Sequence, residues 1–454
     1  MANQYKAAVL AHDRPAPRYT SYPPATQFAD FEDTVWRDAS LRAVRENTRI
    51  SLYVHVPFCS KLCYYCGCFT NVTRKPERIN RYINALIAEA NMVAQRLPGD
   101  VTIAHLHFGG GSPTQLDAMQ FRELMNGLRN AFQFEPNADI AIEADPRQLT
   151  EAKIASYAQS GINRISFGVQ DFCPQVLHAV NRDQGPSLSW QGVQWCRAYG
   201  ITNINFDLMY GLPHQTAESI TETVQLAADM APTRIAFFGY AHVPWMKNHM
   251  QAIDMEAMPG ASARYDMFHA GLNALEETGY HAVGIDHFVA ADDPMYLAWK
   301  QRTLRRNFQG YTTDALPTLI GLGASAISHL PHGYIQNKVD MAAYESACAC
   351  GELPPSRGFL TQPEDEAHAA IISEIMCYFA VDLQPYSDTV NLEKARTRLQ
   401  PLIDDGLVVW EGTRLHIAHE PQLLARLVAA AFDAYTPWPK TDGAPHPQRH
   451  ARAI

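Results

Sequence analysis

The chain has 454 residues, 47% of them hydrophobic and 19% charged, which allows one large catalytic domain and a smaller one, each with its own core. A formal net charge of −10 at pH 7 excludes any global attraction to nucleic acid or to an anionic membrane, so an anionic substrate needs local cations. No stretch is long and apolar enough to cross a bilayer, and the start, MANQYKAAVLAHDRP, has no basic segment leading into an apolar run; a cytoplasmic protein with no membrane and no nucleic-acid partner is expected.

Residues 1–48 read as an N-terminal arm. APRYTSYPPAT from Ala16 is rich in Pro, Tyr and hydroxyl residues, follows neither a helical nor a strand period, and predicts extended chain. Over residues 49–345 strand-like runs alternate with amphipathic stretches of helix length. The strands expected are ISLYVHV from Ile50, IAHLHFG from Ile103, IAIEA from Ile140, RISFGV from Arg164, NINFDLMYG from Asn203, RIAFFGYAH from Arg234 and HAVGIDHF from His281. Helices are expected at 78–94, 118–132, 216–230 and 260–278. Repeated strand-then-helix order predicts parallel strands with right-handed crossovers, hence a complete or partial (β/α) barrel or a doubly wound sheet. Residues 346–454 change character. Beyond CACGELPPSRG, helices flank one hairpin candidate, LVVWEGTRLHI from Leu407, with Glu411-Gly412 as its turn, which predicts a small, mostly helical, winged-helix-like C-terminal domain. The polar, Pro-rich tail from Pro437 predicts poor order.

Four of the nine cysteines fall between residues 59 and 68, directly after the first strand: Cys59-Ser-Lys-Leu-Cys63-Tyr-Tyr-Cys66-Gly-Cys68. An odd number, clustered this way, reads as reduced, metal-binding thiols rather than a disulfide framework. Thiolates spaced like Cys59, Cys63 and Cys66 can wrap one corner of a [4Fe–4S] cube and leave one iron without a protein ligand. That open iron can be chelated by the amino and carboxylate groups of S-adenosylmethionine (SAM), whose sulfonium one electron then cleaves to a 5′-deoxyadenosyl radical. A zinc knuckle is the competing reading, but zinc sites favour paired CxxC units or added histidines, and no second ligand pair follows. A fourth ligand at Cys68 would close the open iron; Cys68 therefore reads as a nearby functional thiol, with an inert structural cysteine as the alternative.

CxxxCxxC after a strand that opens a (β/α) run is the signature of the radical SAM superfamily. SLYVHVPFC, CYYCGC, HFGGGSPT, IEADPR, ISFGVQDF, VNRDQ, FDLMYGLPHQT, YAHVP and RNFQGYTT, in that order, resemble the oxygen-independent coproporphyrinogen III dehydrogenases over nearly the whole chain. The resemblance implies a partial (β/α)6 TIM-like barrel with an N-terminal arm and a C-terminal domain. It also implies two SAM molecules near the cluster. Matched position by position, the first would contact Tyr53, Gly110, Glu143 and Ile327, and the second Tyr65, Gly111, Ser112, Gln170, Arg182, Asp207 and Ala241. Tyr65 stands where Phe is usual and Ser112 where Thr is usual; both keep the relevant ring or hydroxyl. Independently of the resemblance, Gly110, Glu143, Gln170, Asp207 and Ala241 each fall at or just past the end of an expected strand, where barrels gather their functional groups. The glycine run 109–111 offers bare backbone for close approach to SAM, or simply a tight turn.

The implied reaction converts two propionates of coproporphyrinogen III to vinyl groups, giving protoporphyrinogen IX in anaerobic haem biosynthesis. The implied setting is a monomer served by an electron donor such as flavodoxin or ferredoxin. The substrate carries four carboxylates, and the densest cationic segment is KQRTLRR from Lys300; some of Arg302, Arg305 and Arg306 are expected to meet propionates, or the segment to form a solvated basic helix face. In the arm, Arg18, Tyr19 and Tyr22 are expected to cover the barrel mouth and shield the radical, or only to pack on the barrel. Rival functions are a haem chaperone or a tetrapyrrole-directed radical SAM methyltransferase on the same barrel, and a zinc-binding interaction module.

Overall fold

The computed structural model describes residues 5–31, 34–46, 48–418, 421–438 and 451–452. Its centre is six parallel strands in sequential order: β1 (Arg49–Val56), β2 (Thr102–Gly110), β3 (Gln133–Ala144), β4 (Arg164–Gln170), β5 (Asn203–Tyr210) and β6 (Arg234–Gly239). The principal helices between and after them are α1 (Pro76–Ala94), α2 (Ala118–Ala131), α3 (Glu151–Gln159), α4 (Pro186–Ala198), α5 (Ala217–Asp229) and α6 (Ala261–Glu277). Local signals set these helices: Pro76 opens α1 at its first turn, and Asp117 and Gln120 form a reciprocal capping box on α2.

Every central strand alternates. Ile50, Leu52, Val54, Leu106, Phe108, Ile142, Ile165, Phe167, Ile204, Phe206 and Leu208 are fully buried on the face covered by helices. Aromatic rings knit that layer together, as where Phe108 meets Phe121 of α2 at 5.2 Å and Phe121 meets Tyr157 of α3 at 4.7 Å. Burial of each such side chain contributes about 1.5–3 kcal/mol. The opposite face carries Tyr53, His105, His107, Glu143, Arg164, Ser166, Asn205 and Asp207, all only partly buried. The stable core therefore lies between sheet and helices, while the concave wall is polar.

The sheet stays open. Beyond β1 it continues through Leu319–Leu322, parallel to β1, and then the antiparallel strands Ile327–Leu330, Gly333–Asn337, Pro355–Leu360 and Ala29–Asp30; beyond β6 it ends in His287–Val289 and His281–Val283. This is the partial (β/α)6 barrel, within a sheet of thirteen strands. The sheet takes in strands from both sides of residues 48 and 345.

Four local expectations need correction. HAVGIDHF is not one strand but an antiparallel hairpin, His281–Val283 with His287–Val289, because Gly284 turns the chain at φ +61° where the Tyr311 ring leaves no room for a Cβ. The arm is not simply extended: Lys6–Ala11 and Thr34–Arg42 are helical, and the Pro- and Tyr-rich stretch links them. KQRTLRR leaves its helix at Lys300, and Arg305–Asn307 forms a hairpin with Gly310–Thr312. In the C-terminal region the hairpin turn is Gly412-Thr413, since Glu411 pairs with Arg414.

That region is otherwise as read: helices Pro363–Tyr378, Leu392–Asp404 and Ala425–Ala430 around a three-stranded sheet, Ala380–Asp382, Arg414–Ile417 and Val408–Glu411. Most of the tail expected to be poorly ordered, 439–450 and 453–454, lies outside the described residues; Arg452 bridges to Pro15 of the arm.

Candidate functional site

The cysteine loop leaves the C-terminal end of β1. Phe58-Cys59 pairs with Asn71-Val72 and closes the base of the loop, so the thiols hang over the mouth of the barrel. Neighbouring loops pin it. Tyr64 N–H donates to Val180 O at 3.0 Å, Asn181 Nδ2 to Leu62 O at 2.7 Å and Lys247 Nζ to Cys68 O at 3.0 Å, and His249 Nε2 lies 2.8 Å from Cys66 O. Cys63 is buried, Cys59 and Cys66 half-buried, Cys68 exposed, and all nine cysteines are free. Arg147 and Arg182 donate to Cys63 Sγ at 3.6 and 3.5 Å. Asp145 sits between the two guanidiniums, 2.6 Å from Arg147 Nη2 and 3.4 Å from Arg182 Nη2. Burial opposes the Arg182 charge, but Tyr65, Asp145 and Cys63 outweigh it and hold the group firmly protonated.

The donors fit a cluster. Three thiols on one short loop with arginines aimed at sulfur suit an anionic iron–sulfur group. Among the described residues, no three of His, Cys, Asp or Glu converge on one point, as a mononuclear zinc site requires; a cube spreads its thiolates over separate irons. The thiols differ in readiness: burial pushes Cys59 up to about 12, whereas a hydrogen bond from Cys68 holds Cys66 down at about 6.

Beside the loop lies a cavity of about 270 Å³, and it unites the first set expected to hold SAM: Tyr53, Gly110, Glu143 and Ile327 all line it, with Cys68. Glu143 accepts from Gly110 N–H at 3.1 Å and lies 3.1 Å from His107 Nε2. The Tyr53 ring stacks on His107, and its hydroxyl is 3.1 Å from His55 Nδ1, while His55 Nε2 is 3.1 Å from Phe69 O. Burial lowers the His55 pKa and favours its neutral ring. The glycine run has a structural cause that differs from the one expected. A Cβ on Gly109 would meet Glu143, on Gly110 the His55 ring, and on Gly111 the Pro57–Phe58 backbone, all within 3 Å. The room is taken by the protein itself, and the glycines let the cysteine loop sit down on β2.

The second set is more dispersed. Asp207 accepts from Ser166 Oγ at 3.0 Å on the neighbouring strand and from Asn205 Nδ2 at 2.8 Å on its own, and burial pushes it up to about 6. Gln170, at φ +71°, ends β4, and Arg182 bonds Gly168 O two residues earlier. Gly111 and Ser112 lie under the Pro57–Phe58 segment, where Ser112 Oγ is 2.6 Å from Thr114 Oγ1. Tyr65 stays in the cysteine loop near Arg182, and Ala241 lines a separate cavity of about 220 Å³ past β6.

Tyr19 and Tyr22 are buried and line a third cavity, about 280 Å³, but their hydroxyls face the C-terminal region. Tyr19 donates to Asp433 at 2.9 Å, and Tyr22 Oη accepts from Ala434 N–H at 3.0 Å. Of the three arginines expected at the substrate, Arg302 is turned away, paired with Glu374 and stacked on Tyr378. Arg305 and Arg306 line the third cavity, and Arg306 also lines the second. Sequence reading missed Asp145, Arg147, His55 and His107; the strand alternation that puts His107 and Glu143 on one wall was the available signal. Phe308, which lines all three cavities, and Gln309 sit at the hairpin tip and were not singled out as contacts.

Residues 53–227 match the radical SAM superfamily. The chain is 43% identical over 452 residues to the oxygen-independent coproporphyrinogen III oxidase of Bradyrhizobium diazoefficiens, covering 98% of this chain and 99% of that one. It is 38% identical over 432 residues to an anaerobic coproporphyrinogen III oxidase of Cereibacter sphaeroides, covering 93% and 95%. The solved structure of coproporphyrinogen III oxidase from Escherichia coli, a radical SAM enzyme, superposes with a TM-score of 0.87 at 34% identity, covering 95% of this chain and 99% of that one.

Proposed function

The chain belongs to the oxygen-independent coproporphyrinogen III oxidases of the radical SAM superfamily, and from that membership we infer how its own residues divide the work of removing two propionate carboxyls from coproporphyrinogen III to give protoporphyrinogen IX. The enzyme is an oxidoreductase of anaerobic haem biosynthesis that uses a [4Fe–4S] cluster and SAM. When bound, those groups supply one electron and a carbon radical strong enough to take hydrogen from an unactivated propionate.

Cys59, Cys63 and Cys66 hold the cluster, and Arg147 and Arg182, fixed by Asp145, stabilise the thiolate of Cys63. Tyr53, Gly110, Glu143 and Ile327 take one SAM. The observation that carries this assignment is their shared cavity, with the Glu143 carboxylate free to meet an ammonium and Cys68 on its rim. Tyr65, Gly111, Ser112, Gln170, Arg182, Asp207 and Ala241 take a second SAM, a reading supported by Gln170 at the end of β4, Gly111 and Ala241 just past β2 and β6, Asp207 on the concave face of β5, and the others in the loops above. Cys68 lies close enough to the open corner to act there as a thiol. Tyr19 and Tyr22 latch the arm through Asp433 and Ala434 over the cavities and exclude water from the radical. A one-electron donor of the flavodoxin or ferredoxin type, a monomeric state and a cytoplasmic setting complete the reading. Among the described residues no helix is long and apolar enough to cross a membrane.

Anaerobic protein reconstituted with iron and sulfide, given SAM, a reductant and coproporphyrinogen III, is expected to release a product short of two carboxyl groups. A product with an added methyl group, or tetrapyrrole binding without turnover, would overturn the assignment.

A further inference from the structure

The second cavity, about 220 Å³, is assembled from distant pieces of chain: Arg18 of the arm, Arg264 of α6, Arg306 of the Arg305–Thr312 hairpin and Arg426 of the last helix. Its one carboxylate among the described lining residues is Asp286, already 2.8 Å from His287 Nδ1. Arg452 also lines it but is paired with Asp13 at 2.7 Å. Four guanidiniums thus face one carboxylate, and Arg306 Nε and Nη1 and Arg264 Nε are buried with no partner. Like charges this close in a shielded space are costly unless an anion joins them; burial, with Arg18 and Arg306 beside it, holds Arg426 down at about 9. The first cavity is the opposite. It has no Lys or Arg among its described lining residues, and Glu143 is its one carboxylate. Phe308 borders both, so a single tetrapyrrole can present side chains to each.

We propose that the cavity bounded by Arg18, Arg264, Arg306 and Arg426 is the anchor for carboxylates of the tetrapyrrole that the reaction keeps, while the propionate that is lost points past Phe308 toward the mouth of the arginine-free cavity that takes one SAM. This rests on the coproporphyrinogen reading and adds selection among its four propionates. A carboxylate leaving as carbon dioxide gives up its charge, so a guanidinium clamp on it stabilises the ground state more than the transition state and slows the step. A clamp on a carboxylate that never reacts costs nothing there and fixes orientation bidentately.

Protoporphyrin IX carries only the two retained propionates, and its dimethyl ester carries none ionised. Anaerobic fluorescence titration of the full-length reconstituted protein should show the acid binding at least about tenfold tighter than the ester. Arg306→Gln and Arg264→Gln should each weaken the acid by about tenfold to a hundredfold and leave the ester unchanged, with Arg306→Lys recovering part of the loss. Arg122→Gln, on the exposed side of α2, should change neither. Should either variant melt below the assay temperature, Arg18→Gln decides, because that side chain is exposed. Equal binding of acid and ester by the wild type, or unchanged acid affinity in the folded variants, overturns the anchor even if the wild type turns over coproporphyrinogen III. Discrimination between acid and ester without any turnover faults the functional reading instead.

Discussion

The two arginine-bearing regions at the barrel mouth are built on opposite balances of charge. Around Cys63, Arg147 and Arg182 share Asp145 and both donate to the Cys63 sulfur, with only Arg182 Nε left without a partner, so that region is largely ready to hold a group of fixed geometry. Across Phe308, Arg18, Arg264, Arg306 and Arg426 face a single aspartate, and their charge is left for a ligand to complete. The first arrangement is paid for in folding and the second on binding, which is what distinguishes a resident cofactor's seat from a passing substrate's.

The most damaging way to break the first region is Cys59→Ser, Cys63→Ser or Cys66→Ser. Each should abolish decarboxylation and lower bound iron and sulfide while leaving the far-ultraviolet circular dichroism unchanged; an active, fully iron-loaded serine variant would contradict the ligand set. Next is Arg182→Gln. It removes the more distant of the two guanidiniums on Asp145 while Arg147 stays in place, and should cost about 1.5–3 kcal/mol, read as a lower Tm of the apoprotein.

Asp207 gives a pH test of the same wall. Its carboxyl is raised from 3.8 to about 6, so below about pH 4 it is protonated in folded and unfolded chain alike and has no effect on stability. As pH rises from about 4 to 6 the unfolded chain ionises first and stability falls, by about 3 kcal/mol in all, and above that the penalty is constant. Asp207→Asn should therefore raise Tm at pH 8 and leave it nearly unchanged at pH 4; a larger gain at pH 4 reverses the sign and refutes it. The smallest effect sharpens the second region. Arg452→Ala removes an arginine already paired with Asp13, so protoporphyrin IX affinity should change less than about threefold, against tenfold or more for Arg306→Gln.

What the sequence made legible follows the same division. The cysteine loop and strands β1 to β3 are short-range: Cys59 to Cys68 is one unbroken motif, Gly110 and Glu143 lie at or next to the end of their strands, and Tyr53 lies within β1, all in runs whose alternation is visible. The arginine cavity has no local signature. Arg264 and Arg426 are single residues on ordinary amphipathic helices, and only the packing of the C-terminal region on the arm, through contacts such as Tyr19 with Asp433, brings them to Arg18 and Arg306. KQRTLRR drew attention by its density, yet Arg302 in it is spent on Glu374. A run of cations reports charge per length of chain, whereas a binding site depends on charge per volume.

The concave wall of the open barrel bears on how this scaffold changes over time. Because most of the buried apolar layer lies behind the strands, replacements on the concave wall leave that layer in place and act on stability through their own hydrogen bonds and charges, as at Asp207. Selection can rewrite the chemistry of the interior one side chain at a time without renegotiating the architecture that carries it.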